Sequence, residues 1–209
     1  MLAQMLEKLH ELISGGNFEE DARRAMALFR ERTGAAFDDD PSHENRMALF
    51  TEWFILDYPK ESGSMSPIEF CAAGVMGISP EERRALDALR KNVHDIFEVR
   101  RAGQTELALM AIYMDREFAV QSPDKAGMFR KGDLFEGRIV HLDGKWHLLN
   151  GFCNHQSKAG KFIKKELAAI RSRNGAGFKA FVAKLAAMSL MSERSRNIPV
   201  DEIYKNEAA

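Results

Sequence analysis

The sequence predicts an α+β protein with an N-terminal helical half, a small four- to five-stranded antiparallel sheet or partly open barrel, and C-terminal helices. Two observations lead to this prediction. Apolar residues recur at helical spacing near both ends of the chain, whereas short runs rich in β-branched and aromatic residues fill the stretch between them. The predicted regions are therefore 1–94, 95–150 and 151–209, and we expect them to form one compact body.

The N-terminal helices are indicated by their apolar spacing and by the residues that bound them. In the first helix, Leu2, Met5 and Leu9 fall on one face. A second helix is expected to begin after an N-cap at Asn17 and to end near Gly34.

A third helix carries the densest apolar block of the chain, which spans residues 53–59 with the sequence Trp-Phe-Ile-Leu-Asp-Tyr-Pro. Because proline cannot continue a helix, we expect this helix to end by Tyr58. The block must bury most of its surface, so we interpret Trp53, Phe54, Asp57 and Tyr58 as a structural keystone at the join between helices and sheet. The polar atoms of Asp57 and Tyr58 are expected to form hydrogen bonds within the fold.

Two capping boxes of the same form follow, at residues 66–69 and 79–82. Each places serine at the N-cap, proline at the first helical position and glutamate at the third. They predict a short helix and then a longer one that reaches about His94. In this interpretation the Glu69 carboxylate completes the first capping box by accepting a hydrogen bond from the Ser66 backbone N–H.

The β unit is indicated by a change of period after the last of these helices. Short apolar runs at 96–99, 107–113 and 133–149 are separated by polar turns, which is typical of strands. Asp143-Gly144 fits the two-residue type I′ turn of a β-hairpin.

The C-terminal helices combine an apolar face with a basic one. The helix at about 157–173 places its apolar residues on one side and its basic residues on the other. The predicted face for a protein partner or for nucleic acid consists of Lys158, Lys161, Lys164, Lys165 and Arg171.

An ordered set of short motifs resembles a region of uncharacterised bacterial proteins. The set is Trp-Phe-x-x-Asp-Tyr at 53–58, Ser-Pro-x-Glu-Phe at 66–70, Ser-Pro-Glu-Glu at 79–82, Phe-Glu-Val at 97–99 and Gly-Asp-Leu-Phe-x-x-Arg at 132–138. The resemblance implies a helical half joined to a small β unit, and it implies no known reaction. Some proteins that contain this region carry a zinc-type SEC-C motif beside it. The present sequence lacks the cysteine–histidine cluster of that motif, so no zinc role is implied.

Four residues able to ligate a metal lie close together in sequence, namely His141, His147, Cys153 and His155. In a hairpin with a two-residue turn, His141 pairs with Trp146, and the two histidines point to opposite faces of the sheet. The sequence therefore predicts no metal site and no cofactor.

Signatures of catalysis are weak throughout the sequence. Cys71 and Cys153 belong to no nucleophile signature, and we interpret both as reduced thiols, with Cys71 buried and Cys153 more exposed. Glycine-rich phosphate loops are absent. The carboxylates that recur in the motifs are Asp57, Glu69, Glu98, Asp133 and Glu136, and an acid–base pair would require two of them to meet in space.

The charges are unevenly distributed, although the net charge is only −1. Residues 16–63 hold eleven acids against six bases, and residues 155–196 hold ten bases against two acids. Either the two segments face each other or are simply solvated, or the second forms a basic patch for an acidic partner. The sequence contains no signal peptide and no membrane-spanning stretch, so we expect a cytoplasmic protein.

Three functions remain open at this point. The first is a non-enzymatic protein-interaction or regulatory module with an unknown protein partner. The second is a nucleic-acid-associated protein that uses the basic helix and the β unit, in which basic residues alternate with aromatic ones. Those aromatic residues are Phe97, Phe129, Phe135 and Trp146. The third is a hydrolase that uses the dispersed carboxylates.

Overall fold

The computed structural model describes residues 1–14, 18–58, 66–75, 77–195 and 197–205. Within these residues, helices at both ends of the chain flank a five-stranded mixed sheet, which confirms the predicted α+β class.

The helices are α1 (Leu2–Ser14), α2 (Glu19–Thr33), α3 (His43–Leu56), α4 (Pro67–Phe70), α5 (Pro80–Arg90), α6 (Gly160–Ser172), α7 (Phe178–Arg194) and α8 (Val200–Ile203). The strands are β1 (Val93–Ala102), β2 (Glu106–Ala111), β3 (Arg116–Gln121), β4 (Leu134–Leu142) and β5 (Lys145–His155). Strand structure thus begins before residue 95 and continues past residue 150. No helix within the described ranges is both long enough and apolar enough to cross a membrane.

The ends of the first helices follow local sequence signals where these are described. Helix α2 ends at Thr33, directly before Gly34, whose φ of 83° lies in the region that favours glycine. Helix α3 ends at Leu56. Two other predicted boundaries, the N-cap at Asn17 and the stop at Pro59, lie outside the described residues.

Only one of the two predicted capping boxes forms. At the start of α5, the Ser79 hydroxyl accepts a hydrogen bond from the Glu82 N–H, and the Glu82 carboxylate accepts one from the Ser79 N–H. At α4, Ser66 makes no such bond. The predicted role of Glu69 is wrong, because its carboxylate binds the Arg90 guanidinium through two hydrogen bonds of 2.9 and 2.7 Å. A charged two-pronged pair of this kind is stronger than a bond to a neutral backbone N–H.

The strands pair in the order β1-β2-β3-β5-β4, and β4 pairs again with β1. The prediction of an entirely antiparallel sheet is wrong at one contact, where Val120 and Gln121 of β3 pair in parallel with Trp146 and His147 of β5. The reason is geometric. Antiparallel neighbours alternate in direction, and a ring with an odd number of strands cannot alternate all the way around. The five strands therefore close through one short parallel contact and do not form a regular barrel.

The β4–β5 hairpin has the predicted register. Asp143 and Gly144 form the turn with φ values of 51° and 77°, which suit a type I′ turn. His141 pairs with Trp146 as predicted, and His147 lies at the next position, opposite Val140. The two histidines consequently lie on opposite faces of the hairpin.

The sheet separates the apolar cores. Its interior is filled by a buried cluster that includes Phe97, Leu109, Val120, Phe135 and Phe152. On the outer side, the N-terminal helices form one cluster, and α6 and α7 form another against Ile96. Helix α3 lies directly on β5, because a Cβ atom on Gly151 would come within 2.6 Å of the Leu49 backbone.

Candidate functional site

A groove beside α6, α7 and α8 brings together lysines that are far apart in the sequence. The groove has a volume of about 660 Å³. The lysines along it are Lys158, Lys161, Lys165, Lys184 and Lys205, and we call this feature the lysine groove. Three of them belong to the predicted basic face. Lys184 and Lys205 were not predicted, because nothing in the sequence shows that α7 and the residues after α8 return to α6.

The lysine groove carries a surplus of positive charge. Its carboxylates are Glu166 and Asp201, and Asp201 pairs with Lys205 at 3.2 Å. The hydrogen bond from Lys205 lowers the pKa of Asp201 from its ordinary value. None of the other four lysines forms an ion pair with any residue that the structure describes.

The walls of the lysine groove are partly aromatic. Phe162 and Phe181 are half-buried with their ring centroids 6.1 Å apart, and the buried Tyr204 meets Phe162 edge-on at 6.3 Å. The three rings pack against one another and against the apolar core of α6 and α7. The groove is therefore lined by aromatic side chains as well as by lysines.

The other two members of the predicted basic face serve contacts with the β unit. The Lys164 ammonium pairs with the Glu98 carboxylate at 2.8 Å. The Arg171 guanidinium lies 3.3 Å from the Asp115 carboxylate and 3.5 Å from the Ile112 carbonyl oxygen. Of the five predicted residues, three therefore line the lysine groove, and Lys164 and Arg171 form ion pairs with the β unit.

The acid-rich and base-rich segments also meet directly. Arg194 of α7 binds both carboxylate oxygens of Asp40, and this contact lowers the pKa of Asp40 to about 2. Lys179 at the start of α7 pairs with Asp57 at 3.1 Å. These bases are therefore neutralised by contacts between the two segments, whereas Lys158, Lys161, Lys165 and Lys184 form no ion pair within the described part of the chain. A basic patch for an acidic partner stays a prediction.

A second and much smaller cavity, of about 70 Å³, lies where α2, α3, the sheet and α7 meet. Its charged or titratable lining residues are Arg32, Asp57, His94, Glu136, Arg138 and Lys179. Its remaining walls include Phe29, Leu49, Trp53 and Val182. We call it the charged cavity. It was not predicted, because its members come from five separate segments of the chain.

Arg138 organises one side of the charged cavity. Its guanidinium donates hydrogen bonds to the Asp57 carboxylate and to the Asn92 side-chain oxygen, the second at 2.7 Å. Burial raises the pKa of Asp57, but the positive charges of Arg138 and Lys179 outweigh burial, so the pKa lies below its ordinary value. Asp57 is therefore a carboxylate that bridges β4 and α7.

His94 and Glu136 form the other side of the charged cavity. The His94 Nε2 atom lies 3.0 Å from the Glu136 Oε1 atom. Burial lowers the pKa of His94, and the nearby Arg138 charge lowers it further. The imidazole is consequently neutral at physiological pH and donates its Nε2 proton to the carboxylate.

The keystone residues divide between the charged cavity and the N-terminal core. Trp53 lines the cavity and packs against Phe29 and Tyr58, with ring centroids 5.6 and 5.3 Å away. Phe54 is buried and stacks on Phe50 at 5.9 Å. The block therefore connects the helical core with the polar interior beside the sheet.

The four residues that were considered as metal ligands do not converge. No group of three or more histidine, cysteine or acidic side chains within the described residues could hold a metal ion. The expectation that Cys153 is more exposed is wrong, because it is buried against Arg46, and burial raises the pKa of its thiol to about 11. His155 is also buried and contacts the Tyr204 hydroxyl at 3.1 Å, and burial lowers its pKa to about 3.

The aromatic residues of the β unit do not form a stacking surface. Phe97, Phe129 and Phe135 are all buried within the sheet interior. Trp146 is half-buried and meets Phe118 edge-on at 4.8 Å. Bases of a nucleic acid therefore have no exposed ring among these residues on which to stack.

The structure brings together two of the five carboxylates that recur in the motifs. Asp57 and Glu136 both line the charged cavity. The other three lie elsewhere, where Glu69 binds Arg90, Glu98 binds Lys164, and Asp133 accepts the Arg130 backbone N–H at 2.7 Å.

Glu52 is a buried carboxyl group that the sequence analysis missed. Its Oε1 atom accepts the Gly151 backbone N–H at 2.7 Å, where α3 crosses β5. Burial raises the pKa of Glu52 to about 7, against opposing contributions from this hydrogen bond and from Arg138. Glu52 is only one position before the keystone, but the strand that buries it comes almost a hundred residues later in the chain.

We expect Glu52 to make stability depend on pH. Because its folded-state pKa of about 7 lies above the ordinary value of 4.5, its contribution is fully present below about pH 4.5 and is lost as the pH rises through 7. In Glu52→Gln, the amide oxygen keeps the bond to Gly151 without a charge. The free energy of unfolding of this variant, measured by urea titration, should rise relative to that of the unmodified protein as the pH increases across this window. The control is Glu11→Gln, on the exposed face of α1. The difference in free energy of unfolding between this variant and the unmodified protein should stay constant across the same pH window.

No family model, curated protein or solved structure matches this chain. The resemblance to a bacterial family therefore stays a prediction. The lysine groove and the charged cavity are the features on which a function can be argued.

Proposed function

We propose that this protein is a cytoplasmic binding module that holds an acidic segment of a partner protein in the lysine groove. The observation that carries this proposal is the convergence of five lysines on one groove, from the turn before α6, from α6 and α7, and from the residues beside α8. Among the residues that the structure describes, two carboxylates line this groove. A regulatory role is consistent with this proposal, because such a module would act by controlling the activity of the partner that it binds.

The charge of the lysine groove defines the chemistry of its occupant. Like charges held near one another repel, and an anionic occupant replaces that repulsion with attraction. A concentrated positive patch also attracts an acidic partner over a distance and accelerates its association. An acidic segment that reaches between Lys161 and Lys184 would satisfy charges on both α6 and α7.

The aromatic walls favour a protein segment over a nucleic acid. Phe162, Phe181 and Tyr204 pack against one another and are half-buried or buried, so little of their ring surface is open. The surface that remains accommodates an aliphatic or aromatic side chain, whereas single-stranded nucleic acid needs open ring faces for stacking. A peptide that combines glutamate with apolar residues matches both the lysines and these walls.

The test is a fluorescence-anisotropy titration with a labelled peptide of alternating glutamate and leucine residues. The double variant Lys161→Glu, Lys165→Glu should weaken binding by at least about tenfold, because two attractive charges become repulsive ones. The matched control is Lys131→Glu, Lys145→Glu, which makes the same charge change at exposed positions of the β unit. The control should bind the peptide with nearly unchanged affinity.

The same titration distinguishes a nucleic-acid function. A labelled single-stranded oligonucleotide of equal net charge should bind more weakly than the peptide. Tighter oligonucleotide binding with a steep loss of affinity at higher salt would overturn the proposal in favour of nucleic acid. Equal losses in both double variants would show that only the total charge matters, and that the lysine groove is not the site.

A further inference from the structure

Two buried atoms beside the charged cavity have no hydrogen-bond partner among the residues that the structure describes. They are the Arg138 Nε atom, which carries a proton, and the Glu136 Oε2 atom, which accepts one. The two residues are only 2% and 5% exposed, and both line the cavity. Because leaving such an atom unpaired is costly, buried polar groups in proteins nearly always have a partner.

The two atoms set different requirements for an occupant of the charged cavity. The Arg138 Nε–H needs an acceptor, whereas the Glu136 oxygen needs a donor. Glu136 cannot obtain a second donor from His94, because the neutral imidazole already directs its Nε2 proton to the other carboxylate oxygen. An occupant that satisfies both residues must therefore carry an acceptor and a donor on one small framework.

The charges around the cavity specify the sign of this occupant. Arg32, Arg138 and Lys179 are cationic, and Asp57 and Glu136 are their anionic counterparts. With His94 neutral, one positive charge remains in excess. An anion balances it.

The volume of the charged cavity limits the size of the anion. At about 70 Å³, it is several times smaller than the ~300–1,000 Å³ of pockets that hold drug-sized ligands. A small oxyanion has this size, whereas a nucleotide or a sugar phosphate does not. Lys179, whose side chain is 74% exposed, stands at the edge of the cavity and marks the side that is open to solvent.

We propose that the charged cavity binds a small oxyanion that carries one negative charge and retains a proton, such as dihydrogen phosphate or bicarbonate. The oxygen atoms of the anion accept hydrogen bonds from Arg138 and Lys179, and its O–H group donates to the free oxygen of Glu136. Sulfate has no proton at neutral pH, so one of its oxygens would face the Glu136 carboxylate without a hydrogen between them. The site therefore selects dihydrogen phosphate over sulfate.

The test is isothermal titration calorimetry of the full chain with sodium phosphate and with sodium sulfate at equal ionic strength and neutral pH. Phosphate should bind at least about tenfold more tightly than sulfate, because a carboxylate left without a donor is penalised by more than a factor of ten. Bicarbonate should compete with phosphate.

Glu136→Gln tests the origin of this selectivity. The amide oxygen still accepts from His94, and the amide nitrogen supplies a donor where the carboxylate needed one. This variant should bind sulfate as well as phosphate, so that the tenfold preference disappears. The lysine-groove variant Lys161→Glu, Lys165→Glu should keep the preference, which separates this site from adventitious binding to surface lysines and from the proposed function of the groove.

Three outcomes would overturn the proposal. If neither anion binds, the charged cavity holds water alone. If the unmodified protein binds phosphate and sulfate equally, the contact is an unselective one with surface charge. If Glu136→Gln keeps its preference for phosphate, Glu136 is not the group that distinguishes a protonated anion from an unprotonated one.

Discussion

Replacing Arg138 with methionine is expected to lower the free energy of unfolding by about 3–5 kcal/mol, as is typical when one partner of a buried ion pair is removed. Arg138 is 2% exposed and binds both Asp57 and Asn92. Methionine fills much of the same volume, so the loss arises mainly from the carboxylate left behind. Lys179 remains 3.1 Å from Asp57, but its side chain is largely exposed, so solvent screens it and it replaces only part of the Arg138 charge.

The double variant Asp57→Asn, Arg138→Met separates the charge from the packing. It should be more stable than Arg138→Met alone, because no carboxylate without its Arg138 partner remains in the lining of the charged cavity. Urea unfolding of the wild type, both single variants and the double variant gives the coupling energy directly. A coupling energy near zero would show that Asp57 and Arg138 do not depend on each other, contrary to the structure.

Replacing Gly151 with alanine should be comparably severe, with a loss of about 3 kcal/mol, the upper end of the usual range for overpacking. The added Cβ atom would lie 2.6 Å from both the Cα and N atoms of Leu49. These are backbone atoms of α3, so no side chain can rotate away, and the helix must move off β5. That movement would also stretch the hydrogen bond from the Gly151 N–H to Glu52.

Gly127→Ala is the matched control for this substitution, because a Cβ atom at Gly127 would have no atom within 4 Å. Its free energy of unfolding should stay within about 0.5 kcal/mol of the wild type. Thermal and urea unfolding of both variants would provide the comparison. A stable Gly151→Ala protein would mean that α3 can separate from the sheet without penalty.

The parts of the fold that the sequence predicts are those that depend on neighbouring residues. The hairpin register follows from Asp143-Gly144 alone, and the start of α5 follows from Ser79 and Glu82. The box at Ser66 fails because Arg90, 21 residues from Glu69, competes for its carboxylate. A local sequence pattern does not show a competing residue that lies this far away in the chain.

The candidate sites were harder to predict for the same reason. The sequence predicted the basic face of this helix. It could not predict which basic residues line the groove and which form ion pairs, because that depends on partners such as Glu98, which lies 66 residues before Lys164. The charged cavity rests on the contact between Asp57 and Arg138, which lie 81 residues apart. A sequence pattern identifies the residue types of a site, whereas tertiary packing decides which of them remain available.

The odd number of strands in the sheet has a consequence for how the protein folds. Strands β1 to β3, and then β4 and β5, follow one another closely in the chain, so their antiparallel pairs can form early and locally. The contact between β3 and β5 is two residue pairs long, whereas β1 pairs with β4 over six residue pairs, so we expect the longer contact to join the two halves first. This contact is therefore expected to assemble last and to open first, so its backbone amides should exchange with deuterated solvent before those of the strands on either side.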